Sequence, residues 1–177
     1  MLNQISPVKA SHSEDAVELL TGCHQRIRHF TGVAAKLAHA QAASPQEIAQ
    51  AADAVHRYYS VSLPLHEADE DVSLRPRLAE AGDEHVRHAL VAMGDQHQAI
   101  DELLERLLPL LLLVRNNPAA IAQAGGEMCL ITQALQEIFQ AHLEMEEQVI
   151  FPAIGTLDES SRRQLLAEMQ QRRRQGQ

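Results

Sequence analysis

Tryptophan is absent from this chain, cysteine occurs twice, and glycine supplies only 8 of 177 residues. Positive charge is also short. Lys and Arg number 15 against 24 Asp and Glu, a formal balance of −9. That balance excludes a nucleic-acid binder, because the phosphate backbone rewards net positive charge. No apolar run approaches the roughly 20 residues that cross a bilayer. The leucine-rich stretch from Leu103 to Val114 is broken by Glu105, Arg106 and Pro109, and reads as a buried helix. No apolar signal-like stretch opens the chain, so Cys23 and Cys129 are read as free thiols in a cytoplasmic protein. Cys23 adjoins His24 but points about 100° away around a helix, as a packing residue would; Cys129 is read the same way.

What the chain has in plenty is alanine, leucine, glutamate and glutamine, which with little glycine favours an all-α protein. The length suits one domain with a real core, residues 13–177, after a lead-in over 1–12. A first helix is expected from Ser11 or Ser13 to about Ala42, with His24 inside the apolar stripe of Val17, Leu20, Ile27 and Ala34. Ser44-Pro45-Gln46-Glu47 has the form of a capping box. The helix it opens carries Ile48, Ala52, Val55, Tyr59 and His66 on one stripe, with a kink at Pro64. Residues 72–82 read as a connection turning at Pro76. Asp83 caps a third helix to about Arg115, which Gly94 interrupts and Pro109 bends, with Leu90, Met93, His97, Ile100 and Leu104 along its stripe. A fourth runs from Pro118 to Val149, weakened at Gly125-Gly126, carrying Ile131, Leu135, Ile138 and His142, and Phe151-Pro152 ends it. A short C-terminal helix starts at Thr156-Leu157-Asp158-Glu159. Its closing Arg172-Arg173-Arg174 reads as solvated.

Ten histidines need explaining. Two of them, His66 and His142, are followed one helical turn later by Glu70 and Glu146, and at one common distance by Pro76 and Pro152. Four residues advance about 6 Å and return to nearly the same face, so each pair stacks an imidazole and a carboxylate on one side of a helix. His24 and His97 stand at nearly the same separation ahead of these motifs. The chain is thus two repeats of histidine, hairpin, His-x-x-x-Glu and proline. An up-down-up-down four-helix bundle gives such hairpins a pseudo-two-fold relation and brings His24, His66, Glu70, His97, His142 and Glu146 to one level. Imidazole suits iron, copper and zinc, and a carboxylate can bridge two ions. Ferritin-like di-iron bundles use Glu-x-x-His, the reverse order at a step of three, and are set aside. The plain alternative is a metal-free bundle of core histidines, but burying so many polar groups without partners is costly. The acids around the motifs (Glu67, Asp69, Asp71, Glu144, Glu147) read as solvated faces. His12, His29, His39, His56, His85 and His88 have no match in the repeat and read as surface or supporting residues. Tyr58 and Tyr59 read as packing residues.

The order His24, His66-x-x-x-Glu70, His97, His142-x-x-x-Glu146 and Phe151-Pro152, closing with Glu168-Met169 and Arg172-Arg173, resembles the hemerythrin-like (HHE cation-binding) family over residues 12–174. The resemblance implies two non-haem iron ions, oxo- or hydroxo-bridged, in a four-helix bundle. His24, His66, His97 and His142 would be terminal ligands, and Glu70 and Glu146 bridges; zinc fits the same donors. Oxygen-carrying hemerythrins have a further histidine one turn after the third-helix ligand, where this chain has Asp101. The pattern therefore looks more like bacterial di-iron proteins that bind or sense dioxygen or nitric oxide, or handle iron under oxidative and nitrosative stress. Three alternatives stay open: a di-iron oxidase, peroxidase or nitric oxide reductase; an iron–sulfur repair protein; and an interaction bundle without metal. The implied partner is a small diatomic molecule, with no nucleic acid and no membrane, and a homodimer is compatible.

Overall fold

The computed structural model describes residues 15–175, and every element among them is helical. The lead-in over 1–12 and the start expected at Ser11 or Ser13 lie outside those residues. Helix α1 (Ala16–Ala38) is capped by Asp15, whose carboxylate accepts from the Val17 amide at 3.0 Å. It stops before the expected Ala42, because tight turns at His39, Ala40 and Ala43 replace the helical ladder. The Ser44–Glu47 capping box is formed in both directions.

From there the chain departs from expectation. Residues 45–81 form a single continuous helix, α2: α-helical at Pro45–Arg57, Leu63–Ala68 and Arg75–Ala81, with wide π-helical turns at Tyr58–Ser62 and Asp69–Leu74 between them. The connection expected over 72–82 is therefore helix. Proline lacks the amide of the i→i−4 ladder and its ring collides with that carbonyl. Here the residue before each proline instead bonds five back, Leu63 to Tyr58 and Arg75 to Glu70, and the widened turn makes room for Pro64 and Pro76. Both proline rings stay on the exposed side.

Helix α3 (Glu84–Asn116) starts on the Asp83 cap, which accepts from Val86 at 3.0 Å. Gly94 does not interrupt it. A Cβ there would lie 2.9 Å from Arg75 Nη1, so this glycine makes room for a guanidinium arriving from α2. Pro109 lies inside the helix on its exposed side. Residues 118–154 form α4, opening with a 3-10 turn at Pro118–Ala120 and continuing as Ile121–Met145. Its wide turn at Glu146–Ile150, closed by Phe151 bonding to Glu146, leads into Phe151–Ile154, so Phe151-Pro152 does not end the helix. At Gly125 a Cβ would come within 2.7 Å of the Ala38 carbonyl, which is why α1 and α4 can approach so closely there. Helix α5 (Glu159–Gln175) begins after Asp158, which accepts from the Ser161 amide at 2.9 Å. Among the described residues no helix is long and apolar enough to cross a membrane.

Helix α1 packs chiefly on α4, α2 on α3, and α3 also on α4. Two apolar clusters result. One gathers Ile27, Leu37, Val55, Leu107, Leu111, Ile131 and Leu135; the other gathers Leu20, Leu74, Leu78, Met93, Ile150, Leu165 and Met169. Each such side chain contributes about 1.5–3 kcal/mol by burial. Every one of α1 to α4 passes from one cluster to the other, and between them lies a polar layer at residues 24, 66–70, 97 and 142–146. The apolar ends hold that layer away from water.

Candidate metal centre

The six side chains singled out in the sequence meet in the polar layer. His24, His66, Glu70, His97, His142 and Glu146 are each 5 % exposed or less. They form two overlapping clusters, His24, His66, Glu70, Glu146 and Glu70, His97, His142, Glu146, each with its ligand atoms within 4.8 Å of one another. The carboxylates divide their oxygens between the clusters. Glu70 Oε1 lies 3.2 Å from His66 Nε2, and its Oε2 3.3 Å from His97 Nε2. Glu146 Oε2 lies 3.1 Å from His24 Nε2, and its Oε1 3.4 Å from His142 Nε2. Both glutamates sit within wide turns, which carry the His-x-x-x-Glu motif straight into the proline that follows.

The far ring nitrogens are held from outside. Glu147 Oε1 lies 2.8 Å from His24 Nδ1, Asp71 Oδ2 lies 3.1 Å from His97 Nδ1, and Gln96 Oε1 lies 3.0 Å from His142 Nδ1. An acceptor at Nδ1 leaves Nε2 deprotonated and facing the cluster, the tautomer a metal requires. Arg28 holds Glu147 at 2.9 Å and Arg75 holds Asp71 at 3.4 Å. Among the described residues His66 Nδ1 has no such partner.

The donor set fits a pair of cations. Buried and without hydrogen-bond partners among the described residues are the Nε2 atoms of His24, His66 and His97 and all four carboxylate oxygens of Glu70 and Glu146. Leaving one such atom unsatisfied costs about 1–3 kcal/mol, so a protein keeps seven together only where something else satisfies them. Burial, with Asp69, Glu67 and Asp71 adding, pushes Glu70 well above the usual carboxyl range. Burial, with Glu70 adding and His24 opposing, pushes Glu146 up to about 8. Burial and the neighbouring imidazoles hold His142 down to about 3 and His66 well below its ordinary value. Each of these shifts favours the neutral form of the group; a bound cation reverses that preference for the carboxylates.

Several expectations change. Asp69 is fully buried, not solvated, and pairs with Arg172 and Arg173, so two of the three closing arginines are not solvated either. Asp71 and Glu147 are half-buried and bound to imidazoles, whereas Glu144 is exposed. Cys23 is buried as expected, but its sulfur also receives Arg26 at 3.0 Å and Arg173 at 3.2 Å. Cys129 lies 3.4 Å from His39 Nε2. Tyr58 stacks on Phe30 with ring centroids 4.2 Å apart, and the Tyr59 hydroxyl meets Thr31 Oγ1 at 2.9 Å. His29, His39, His85 and His88 are exposed and His56 half-buried, while His12 lies outside the described residues. Asp101 is exposed and adds no donor; beside it Glu67 is half-buried, and burial with Asp101 adding pushes that carboxyl up to about 7. The residues missed from sequence are Asp71, Glu147 and Gln96. A signal existed for two: Asp71 and Glu147 each directly follow a motif glutamate, at matching positions of the repeat. A groove of about 460 Å³ between α1 and α4, lined by Arg28, Gly32, Phe139, Leu143 and Glu147 among others, reaches the Arg28–Glu147 pair.

An all-helical protein with buried, paired histidine–glutamate clusters between its helices belongs to the class of bundles that can hold metal cations. The chain is a member of the hemerythrin HHE cation-binding domain family, whose model matches residues 15–154. Among curated proteins none matches it.

Proposed function

We propose that this protein holds two non-haem iron ions and uses them to bind or sense dioxygen or nitric oxide, or to handle iron under oxidative or nitrosative stress. His24 and His66 would hold one ion, His97 and His142 the other, with Glu70 and Glu146 bridging both. One observation carries this reading: each oxygen of each glutamate faces a different histidine. Two carboxylates so divided are what a pair of ions needs and what a single ion would not use. When bound, an iron pair would supply a reversible redox change and coordination positions open to a diatomic ligand. The chain does the rest. Glu147, Asp71 and Gln96 fix three imidazoles by their outer nitrogens, and Phe151 lies against His24 with ring centroids 4.8 Å apart. The apolar clusters exclude bulk water on both sides of the layer.

Alternate passage of α1 to α4 between the two clusters supports an up-down-up-down bundle with a pseudo-two-fold repeat, and residues 13–177 as one domain. Free Cys23 and Cys129 suit a reducing, cytoplasmic setting. An exposed Asp101 in place of a further histidine favours sensing or handling over carriage. The test is metal analysis with absorption spectra of aerobic, reduced and nitric-oxide-treated protein. Expected are about two irons per chain and a near-ultraviolet charge-transfer band that reduction or nitric oxide changes. Iron-loaded protein whose spectrum ignores all three treatments would end this reading.

A further inference from the structure

Arg172 and Arg173, near the end of α5, reach the residues that directly precede two of the six donors. Arg173 Nη2 lies 3.2 Å from Cys23 Sγ and 2.5 Å from Asp69 Oδ2. Arg172 pairs with the other oxygen of Asp69 and donates to Ser73 Oγ at 3.0 Å. Cys23 precedes His24 on α1, and Asp69 precedes Glu70 on α2. A single guanidinium therefore ties α1 to α2 one residue away from a donor on each.

Asp69 is fully buried. A carboxylate in that position persists only when paired, and both of its cationic partners come from α5. The segment is fixed independently. Leu165 and Met169 are fully buried in the cluster with Leu20 and Leu74, and Arg77 from α2 grips Glu168 at 2.7 and 3.1 Å. In the other half both imidazoles are braced at Nδ1, His97 by Asp71 on α2 and His142 by Gln96 on α3. His66, in the same cluster as His24, has no partner at Nδ1 among the described residues, so this half of the centre has one outer brace, Glu147 on His24, where the other half has two. Helix α5 also lies beyond residue 154, where the family match ends.

We propose that the Arg172–Arg173 pair of α5 is a positioning clamp for one half of the centre, setting His24 and Glu70 for the cation they share with His66. The proposal rests on the two-cation reading above. Docking of α5 and filling of that half are then coupled, and the coupling is reciprocal.

The test titrates metal-stripped, full-length protein with cobalt(II) alone, followed by calorimetry and by the visible bands that report coordination. Wild type is expected to take two equivalents. Arg173→Ala should keep one at wild-type affinity and bind the other about tenfold to a hundredfold more weakly. Arg173→Lys, which restores the charge, should recover most of the loss. Leu111→Ala, in the far apolar cluster, serves as the control: it should lower the melting temperature and leave both equivalents unchanged. Should Arg173→Ala fail to fold, the double variant D69N/R173A leaves no unpaired buried charge and carries the same expectation. Two equivalents at wild-type affinity in the arginine variant, loss of both, or an equal loss in Leu111→Ala would each overturn the clamp alone. Wild-type protein that binds no cobalt overturns the two-cation reading and the clamp with it.

Discussion

Glu147 stands 2.8 Å from Nδ1 of His24 although 123 positions separate them in the chain. Its carboxylate is held in turn by Arg28 on α1. The other half of the molecule repeats the arrangement with Asp71, His97 and Arg75. In both, the acid directly follows a glutamate of the buried cluster, and the histidine it holds comes from the opposite repeat. Each repeat thus supplies one carboxylate to the buried cluster and the next one to its partner's imidazole.

The first prediction follows from that cross-bracing. Glu147→Ala or Asp71→Ala should weaken metal binding by about tenfold to a hundredfold, because the imidazole loses both its orientation and the charge that raises its basicity. Glu147→Gln and Asp71→Asn keep an acceptor oxygen and should lose less. Stability should hardly change, since the Arg28–Glu147 pair is half-exposed and such pairs are worth roughly 0–1 kcal/mol. Metal titration beside thermal melting of the same variants separates the two effects. An alanine variant with unchanged affinity would remove these acids from the centre.

A second prediction concerns Glu70 and Glu146. Glu146 is a buried polar group whose two oxygens have no hydrogen-bond partner among the described residues. Glu146→Met, similar in volume, should raise the melting temperature of metal-free protein, by an amount equivalent to about 1–3 kcal/mol. The same change should abolish the stabilisation that metal gives, which is about 4 kcal/mol at a thousandfold excess over Kd. Glu70→Met should behave alike. Melting curves with and without metal decide it: a variant that is less stable than wild type in both conditions contradicts the account.

The third prediction is the pH dependence of metal-free protein. Glu146 is raised to about 8 when folded, against 4.5 unfolded. Between those values the folded state binds the extra proton, so this group makes stability fall as pH rises through the window. His142 is lowered to about 3 against 6.5. Between 3 and 6.5 the unfolded state binds the extra proton, so this group makes stability rise with pH. The two oppose each other between 4.5 and 6.5. Outside that overlap stability should decline, towards pH 8 on one side and towards pH 3 on the other. Metal replaces the proton on Glu146, so loaded protein should lose the decline between 6.5 and 8. Calorimetric melts across pH, with and without metal, would show it; a flat metal-free profile up to pH 8 would count against a neutral, buried Glu146.

Much of this was written in the pattern of histidines, since four of them recur on four apolar stripes and a helix converts spacing into a shared face. Proline lacks the amide that continues a helical ladder, so the pattern alone suggests a turn at Pro76 and a helix end at Pro152. Pro76 and Pro152 instead follow wide turns, a response that depends on tertiary packing holding the helix together on both sides. The burial of Asp69 could not be seen either. A run of acids next to a ligand has the composition of a solvated face, and what distinguishes Asp69 is a pair of arginines arriving from 103 positions away or slightly more.

The glycines give a last prediction, because two of them do opposite things. At Gly125 a new Cβ meets the Ala38 backbone at 2.7 Å, and backbone cannot step aside. Gly125→Ala should therefore separate α1 from α4 and cost about 1–3 kcal/mol of stability. At Gly94 the new Cβ meets the far end of Arg75 at 2.9 Å, a flexible side chain that can move. Gly94→Ala should gain up to about 1 kcal/mol of helix stability in metal-free protein. The displaced guanidinium would, however, loosen its hold on Asp71, and through it the orientation of His97. Metal affinity should fall in Gly94→Ala while the melting temperature rises; in Gly125→Ala stability should fall first. If both variants lost stability and affinity in proportion, Arg75 would have no separate influence on the centre.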